Sequence, residues 1–119
     1  MHIVMVDDDE TLVRMMAVWF DRAGHEVVPF TQFEAAKLYL ASHTPDVLVT
    51  DVRLGAFNGL QLAVQATIDH PDLTAIVLTG FDDPVLHEEA TAIGAYYLIK
   101  PIRSDQLMAC INRPRPPQN

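Results

Sequence analysis

A chain of 119 residues, half of them apolar, has enough material for one packed core and too little for two. Eight basic against sixteen acidic side chains leave a net charge of −8, which weighs against direct binding of DNA or RNA, because a phosphate backbone repels such a surface. The apolar runs are strand-sized, far below the ~20 residues of a membrane span, and the single cysteine excludes a disulfide framework.

Short apolar runs alternate with helical patterns along the chain. The first run, Ile3-Val4-Met5-Val6, predicts a strand near 2–6 and closes on Asp7-Asp8-Asp9-Glu10. Met1-His2-Ile3 before it lacks the basic and long apolar segments of a secretory signal, so a cytoplasmic location without membrane contact is expected. A helix follows near 10–23, with Leu12, Met15, Met16, Trp19, Phe20 and Ala23 at core spacings and a stop at Gly24. A strand near 26–29 and a helix near 33–42 come next. Pro45-Asp46 introduces a third strand, near 46–50, that stops at Asp51, and a helix follows near 59–68. Pro71-Asp72 introduces a fourth, near 75–78, that stops at Thr79, with a helix near 84–93 after it. The fifth strand, 96–99, stops at Lys100, where a cis bond to Pro101 would turn the chain sharply. The last helix, near 104–111, carries Cys110 at a core spacing, the place of a small buried hydrophobe.

Strands without in/out alternation, separated by helices, predict a parallel sheet covered on both faces and joined by right-handed crossovers. The expected fold is α/β, a doubly wound (βα)5 flavodoxin-like unit over residues 1–112. The proline-rich remainder, Arg113 to Asn119, cannot extend the last helix and reads as a linker or a frayed end.

In such a sheet the carboxyl ends of the strands share one edge, and that edge carries the site. Asp7, Asp8, Asp51, Thr79 and Lys100 all fall there. Adjacent carboxylates call for a cation, and hard oxygen donors suit magnesium. Asp9 and Glu10 suit a helix N-terminus instead. Asp51 is the candidate nucleophile, able to form an aspartyl-phosphate. Thr79, followed by Gly80, offers a hydroxyl with room for a bulky anion, and Lys100 a mobile positive charge. The five histidines (2, 25, 43, 70, 87) form no spaced ligand pair.

Taken together, Val6-Asp7-Asp8-Asp9, Pro45 to Asp51, Gly59, Leu78-Thr79-Gly80 and Gly94 to Pro101 resemble the receiver domain of two-component response regulators. That resemblance implies a signalling module rather than a turnover enzyme. Asp51 would accept a phosphoryl group from a histidine kinase or a histidine phosphotransfer protein. Asp8 would bind magnesium directly and Asp7 through water, with the backbone carbonyl of Arg53 as a further ligand. Thr79 and Lys100 would contact the phosphoryl oxygens, and Tyr97 matches the aromatic switch residue. The face around the fourth helix, fifth strand and fifth helix would be remodelled, passing the signal to an output domain or a second copy. Arg53 and Phe81 match the positions flanking the phosphoryl group, where they would restrict attacking water. One position departs from the family: where a proline usually follows the phosphoacceptor by four residues, this chain has Gly55, and a more flexible loop is expected.

A phosphohydrolase of the haloacid dehalogenase type also uses Asp, Thr and Lys at strand ends. It carries a second acid two residues after the nucleophile, where this chain has Arg53, and a cap for which there is no room. A flavodoxin-like nucleotide binder needs an uncharged loop after the first strand, which is acidic here. A module that signals without phosphate is the third alternative, and partner binding independent of Asp51 and magnesium would mark it.

Overall fold

The computed structural model describes residues 1–112, and the expected proline-rich tail at 113–119 lies outside the described residues. The main sheet has five strands: β1 His2–Val6, β2 Glu26–Phe30, β3 Val47–Asp51, β4 Thr74–Thr79 and β5 Tyr96–Ile99. Helices α1 Glu10–Arg22, α2 Phe33–Leu40, α3 Gly59–Asp69, α4 Pro84–Ala92 and α5 Ser104–Ile111 connect or follow them. The strands run parallel in the order β2-β1-β3-β4-β5, the flavodoxin-like winding expected from the alternation of elements.

β3 lies in the middle of the sheet and is buried throughout, which is why its sequence shows no polar face. Successive side chains still point to opposite sides. Val4, Val6, Leu48 and Val77 pack with Ala36 of α2, Leu60 and Ala63 of α3 and Ala90 of α4. Ile3, Met5, Val49 and Leu78 pack on the other face with Val13, Met16 and Phe20 of α1 and Leu107, Cys110 and Ile111 of α5. Two cores of this kind hold the sheet from both sides.

The α1 stripe is rotated from the expected one. Val13, Met16 and Phe20 are the buried positions, with Leu12 and Trp19 packed beside them, whereas Met15 is 45% exposed. Residues 15 and 16 both fit a helical spacing, and only the sheet decides which one faces inward.

Between β3 and α3 lies an element the sequence reading lacks. Arg53–Leu54 pairs antiparallel with Phe57–Asn58, and Gly55-Ala56 makes the turn. Gly55 has φ +62°, as a two-residue hairpin with glycine first requires. A proline, fixed near φ −65°, cannot adopt that angle. The loop expected to be flexible carries this two-pair antiparallel ladder. Asn58 then caps α3 by accepting from Leu60 N at 2.9 Å. Gly59 is required by close approach, because a Cβ there would collide with the Asp51 carbonyl oxygen and the Thr50 hydroxyl.

Candidate functional site

The run Asp7-Asp8-Asp9 divides its carboxylates among separate tasks. Asp7 turns inward and is fully buried, its Oδ1 accepting from Asp9 N at 2.9 Å. Asp9 caps α1, accepting from Thr11 N at 3.1 Å and Leu12 N at 3.2 Å, in keeping with its reading as a helix-start residue. Asp8, exposed, lies between them at the mouth of the site.

Asp51 ends β3 with 6% of its surface exposed, and Thr79 ends β4 with 5%. Lys100 follows β5, where its N–H donates to the Thr79 carbonyl at 2.8 Å and its bond to Pro101 is cis. Its ammonium lies 2.9 Å from Asp7 Oδ2 and 3.5 Å from Asp51 Oδ1. The Asp7 contact is an ion pair and not a well-aligned hydrogen bond, so this buried oxygen has no hydrogen-bond partner.

One ammonium thus faces two buried carboxylates, with a third nearby. Burial pushes the Asp51 carboxyl up to about 6, the Asp7 charge adds to the rise, and Lys100 opposes it. Asp7 is also raised, again by burial first, against the pull of the Asp9 amide and Lys100. Burial pulls Lys100 down, but Asp7 and Asp51 together outweigh it and hold the ammonium above the ordinary lysine range. The edge is short of positive charge.

Asp7, Asp8 and Asp51 each offer an oxygen, and these oxygens lie within 4.8 Å of one another. Three hard oxygen donors, including a buried one without a hydrogen bond, fit a divalent cation such as magnesium. An open pocket of about 210 Å³ lies beside them, lined by Asp8, Asp51, Arg53, Thr79, Phe81 and Lys100 among others. The Arg53 guanidinium lies 5.6 Å from the centre of the exposed Phe81 ring, so these two side chains meet at the pocket rim.

Thr79 Oγ1 donates to the Phe81 carbonyl at 2.9 Å and accepts from Phe81 N at 3.2 Å. Tyr97, half-buried on β5, reaches the same loop: its hydroxyl accepts from Asp83 N at 3.0 Å and donates to Phe81 O at 3.3 Å. The structure therefore gathers Asp7, Asp8, Asp51, Thr79 and Lys100 at one edge, sets Arg53 on the rim and puts Tyr97 behind Thr79. His87 of α4, read from sequence only as one of five histidines without a ligand pair, has its ring parallel to Tyr97 with centroids 4.3 Å apart. Nothing in the spacing of a helix residue and a strand residue signals that contact.

A family model described as the response regulator receiver domain matches residues 3–112. The DNA-binding transcriptional regulator NtrC of Salmonella typhimurium is 34% identical over 110 residues, covering 92% of this chain and 24% of that protein. The chain thus spans about a quarter of the length of such curated relatives. Among solved structures, a CheY-like receiver domain protein from Methanospirillum hungatei superposes with a TM-score of 0.87 at 21% identity, covering 93% of this chain and 90% of that one. A response regulator protein from Burkholderia pseudomallei, solved with a phosphorylated aspartic acid, calcium ion and citrate, gives 0.84 at 25% identity, covering 92% of this chain and 65% of that one. With its strand order, its acidic edge and a family match over nearly all described residues, the chain belongs to the response regulator receiver domain family of two-component signalling, whose members are signalling domains and not turnover enzymes.

Proposed function

We propose that Asp51 is the phosphoacceptor and that a histidine kinase or histidine phosphotransfer protein is the donor. The observation that carries this reading is a buried Asp51 within 3.5 Å of Lys100, in an open pocket beside two further carboxylates. An Asp51 oxygen attacks phosphorus, the bond from phosphorus to the donor imidazole breaks, and the imidazole leaves with the bonding pair. Lys100 meets an oxygen of the transferred group, and Thr79 swings from Phe81 to meet another. Asp8 would hold magnesium directly and Asp7 through water, with Asp51 and the Arg53 carbonyl completing the protein's share. When bound, the ion supplies positive charge that Lys100 alone does not. Arg53 and Phe81, in contact at the rim, restrict water and lengthen the lifetime of the phosphorylated form.

Tyr97 shares the Phe81 carbonyl with Thr79, and through it the departure of Thr79 is passed to the face formed by α4, β5 and α5. Val85 and Ile99 lie in this region, 61% and 40% exposed, which supports its use against an output domain or a second copy. Residues 1–112 serve as the receiver unit. We place its work in the cytoplasm; among the described residues no helix is long and apolar enough to cross a membrane.

The test is intact-mass spectrometry of the parent and Asp51→Asn with acetyl phosphate, with and without magnesium. A single phosphoryl adduct that needs both Asp51 and magnesium is expected. Neither adduct nor phosphate release from the parent would favour a phosphate-independent module.

A further inference from the structure

His87 is exposed on α4, one turn beyond the cap residue Asp83, whose carbonyl accepts from His87 N at 2.9 Å. Its ring lies on the Tyr97 ring with an interplanar angle of 3°. The start of α4 therefore holds Tyr97 in two ways: Asp83 N donates to the hydroxyl, and His87 covers a face of the ring. This matters because of what the hydroxyl touches. The Phe81 carbonyl accepts from Thr79 Oγ1 at 2.9 Å and from Tyr97 Oη at 3.3 Å, so two hydroxyls share one acceptor.

We propose that His87 is a positioning residue, whose stack keeps Tyr97 at the Phe81 carbonyl so that Thr79 is free to leave it. This rests on the proposed phosphoacceptor role of Asp51 for its last step, but not for the placement of the ring. Thr79 cannot turn toward an anion on Asp51 while donating to Phe81. When Thr79 leaves, the Phe81 carbonyl keeps a protein donor only if another already stands within reach. Tyr97 is that donor, provided its ring does not swing away. An imidazole in parallel contact opposes the swing by ring-on-ring attraction beyond simple burial, and the α4 backbone sets where that imidazole is attached. The site is thereby prepared for the anion before the anion arrives.

The test uses the full chain labelled with 3-fluorotyrosine, as the parent, His87→Ala and His87→Phe. Fluorine spectra are recorded with and without magnesium and beryllofluoride, a stand-in for the phosphoryl group. The chain has three tyrosines, and Tyr97→Phe identifies the signal of interest. His87→Ala is expected to shift and broaden the Tyr97 signal before any ligand is added. It should also weaken beryllofluoride binding about threefold to tenfold, the equilibrium equivalent of one aromatic contact. His87→Phe, which keeps a flat ring, should restore both. An unchanged Tyr97 signal and unchanged affinity in His87→Ala would overturn the proposal, as would a failure of His87→Phe to rescue. If Tyr97 responds to His87 as expected but no variant, the parent included, binds beryllofluoride, the restraint by His87 stands and the role given to Asp51 falls.

Discussion

At the amino edge of the sheet, polar groups have partners and face water. His2 N donates to the exposed Asp46 carboxylate at 2.7 Å, the Tyr39 hydroxyl lies 2.9 Å from His2 Nε2, and His43 stacks on Tyr39 at 3.9 Å between centroids. At the carboxyl edge, Asp7 and Asp51 are buried with one ammonium between them, and an Asp7 oxygen lacks a hydrogen bond. Both edges belong to the same strands and rest on the same cores. The difference is one of unmet electrostatic demand: the amino-edge groups named here have partners and water, while at the carboxyl edge one ammonium faces two buried carboxylates. A binding edge gains its affinity from that deficit.

The sharpest way to break the comparison is Lys100→Met. It removes the ammonium that contacts both buried carboxylates. Because the lysine side chain is 25% exposed, the loss should fall below that of a fully buried pair, at about 2–3 kcal/mol in urea unfolding at pH 7.5. A loss under about 0.5 kcal/mol would mean that the carboxyl edge tolerates charge as an exposed surface does.

Acid titration gives the next effect. Asp51 has its folded-state value raised from 3.8 to about 6, so the folded protein holds this proton more tightly than the unfolded chain does. That contribution is fully present below pH 3.8 and is lost as pH rises through about 6, an effect on the order of 2–3 kcal/mol. Comparing metal-free parent and Asp51→Asn isolates it, because the amide does not titrate. The asparagine form should be the more stable of the two at pH 7.5, with its advantage shrinking toward pH 4. Urea unfolding across this range checks the sign. Equal pH profiles would remove the charge deficit from the account.

The smallest effect belongs to the amino edge. Tyr39→Phe deletes the hydroxyl near His2 and should lower stability by about 1 kcal/mol. The loss should be the same with and without magnesium, and the yield of phosphoryl adduct should not change. Dependence on magnesium would couple the two edges, which the comparison does not allow.

Most of the site was legible because strand ends are legible. A run such as Val47 to Thr50 sets the strand, and the fold then decides that whatever follows it shares an edge with Asp7, Thr79 and Lys100. The family pattern added roles that no local rule supplies, notably for Tyr97. Other features were hidden for physical reasons. A ladder with two residues on each side carries no periodicity, so the hairpin around Gly55 had no signature. Met15 and Val13 exchange burial because a helical stripe fixes spacing but not rotation. The stacks of His87 on Tyr97 and His43 on Tyr39 depend on side-chain directions set by packing.

The left-handed Gly55 also bears on how this chain is engineered. Averaging a family's sequences is an ordinary route to a sturdier variant, since common residues tend to be locally favourable. Here that recipe would replace Gly55 with proline, whose ring cannot reach φ +62°. The turn would have to change type, which disturbs the ladder leading into Asn58 and Gly59, the residues that hold the start of α3 against Asp51. At this position the commonest residue of the family is the wrong repair.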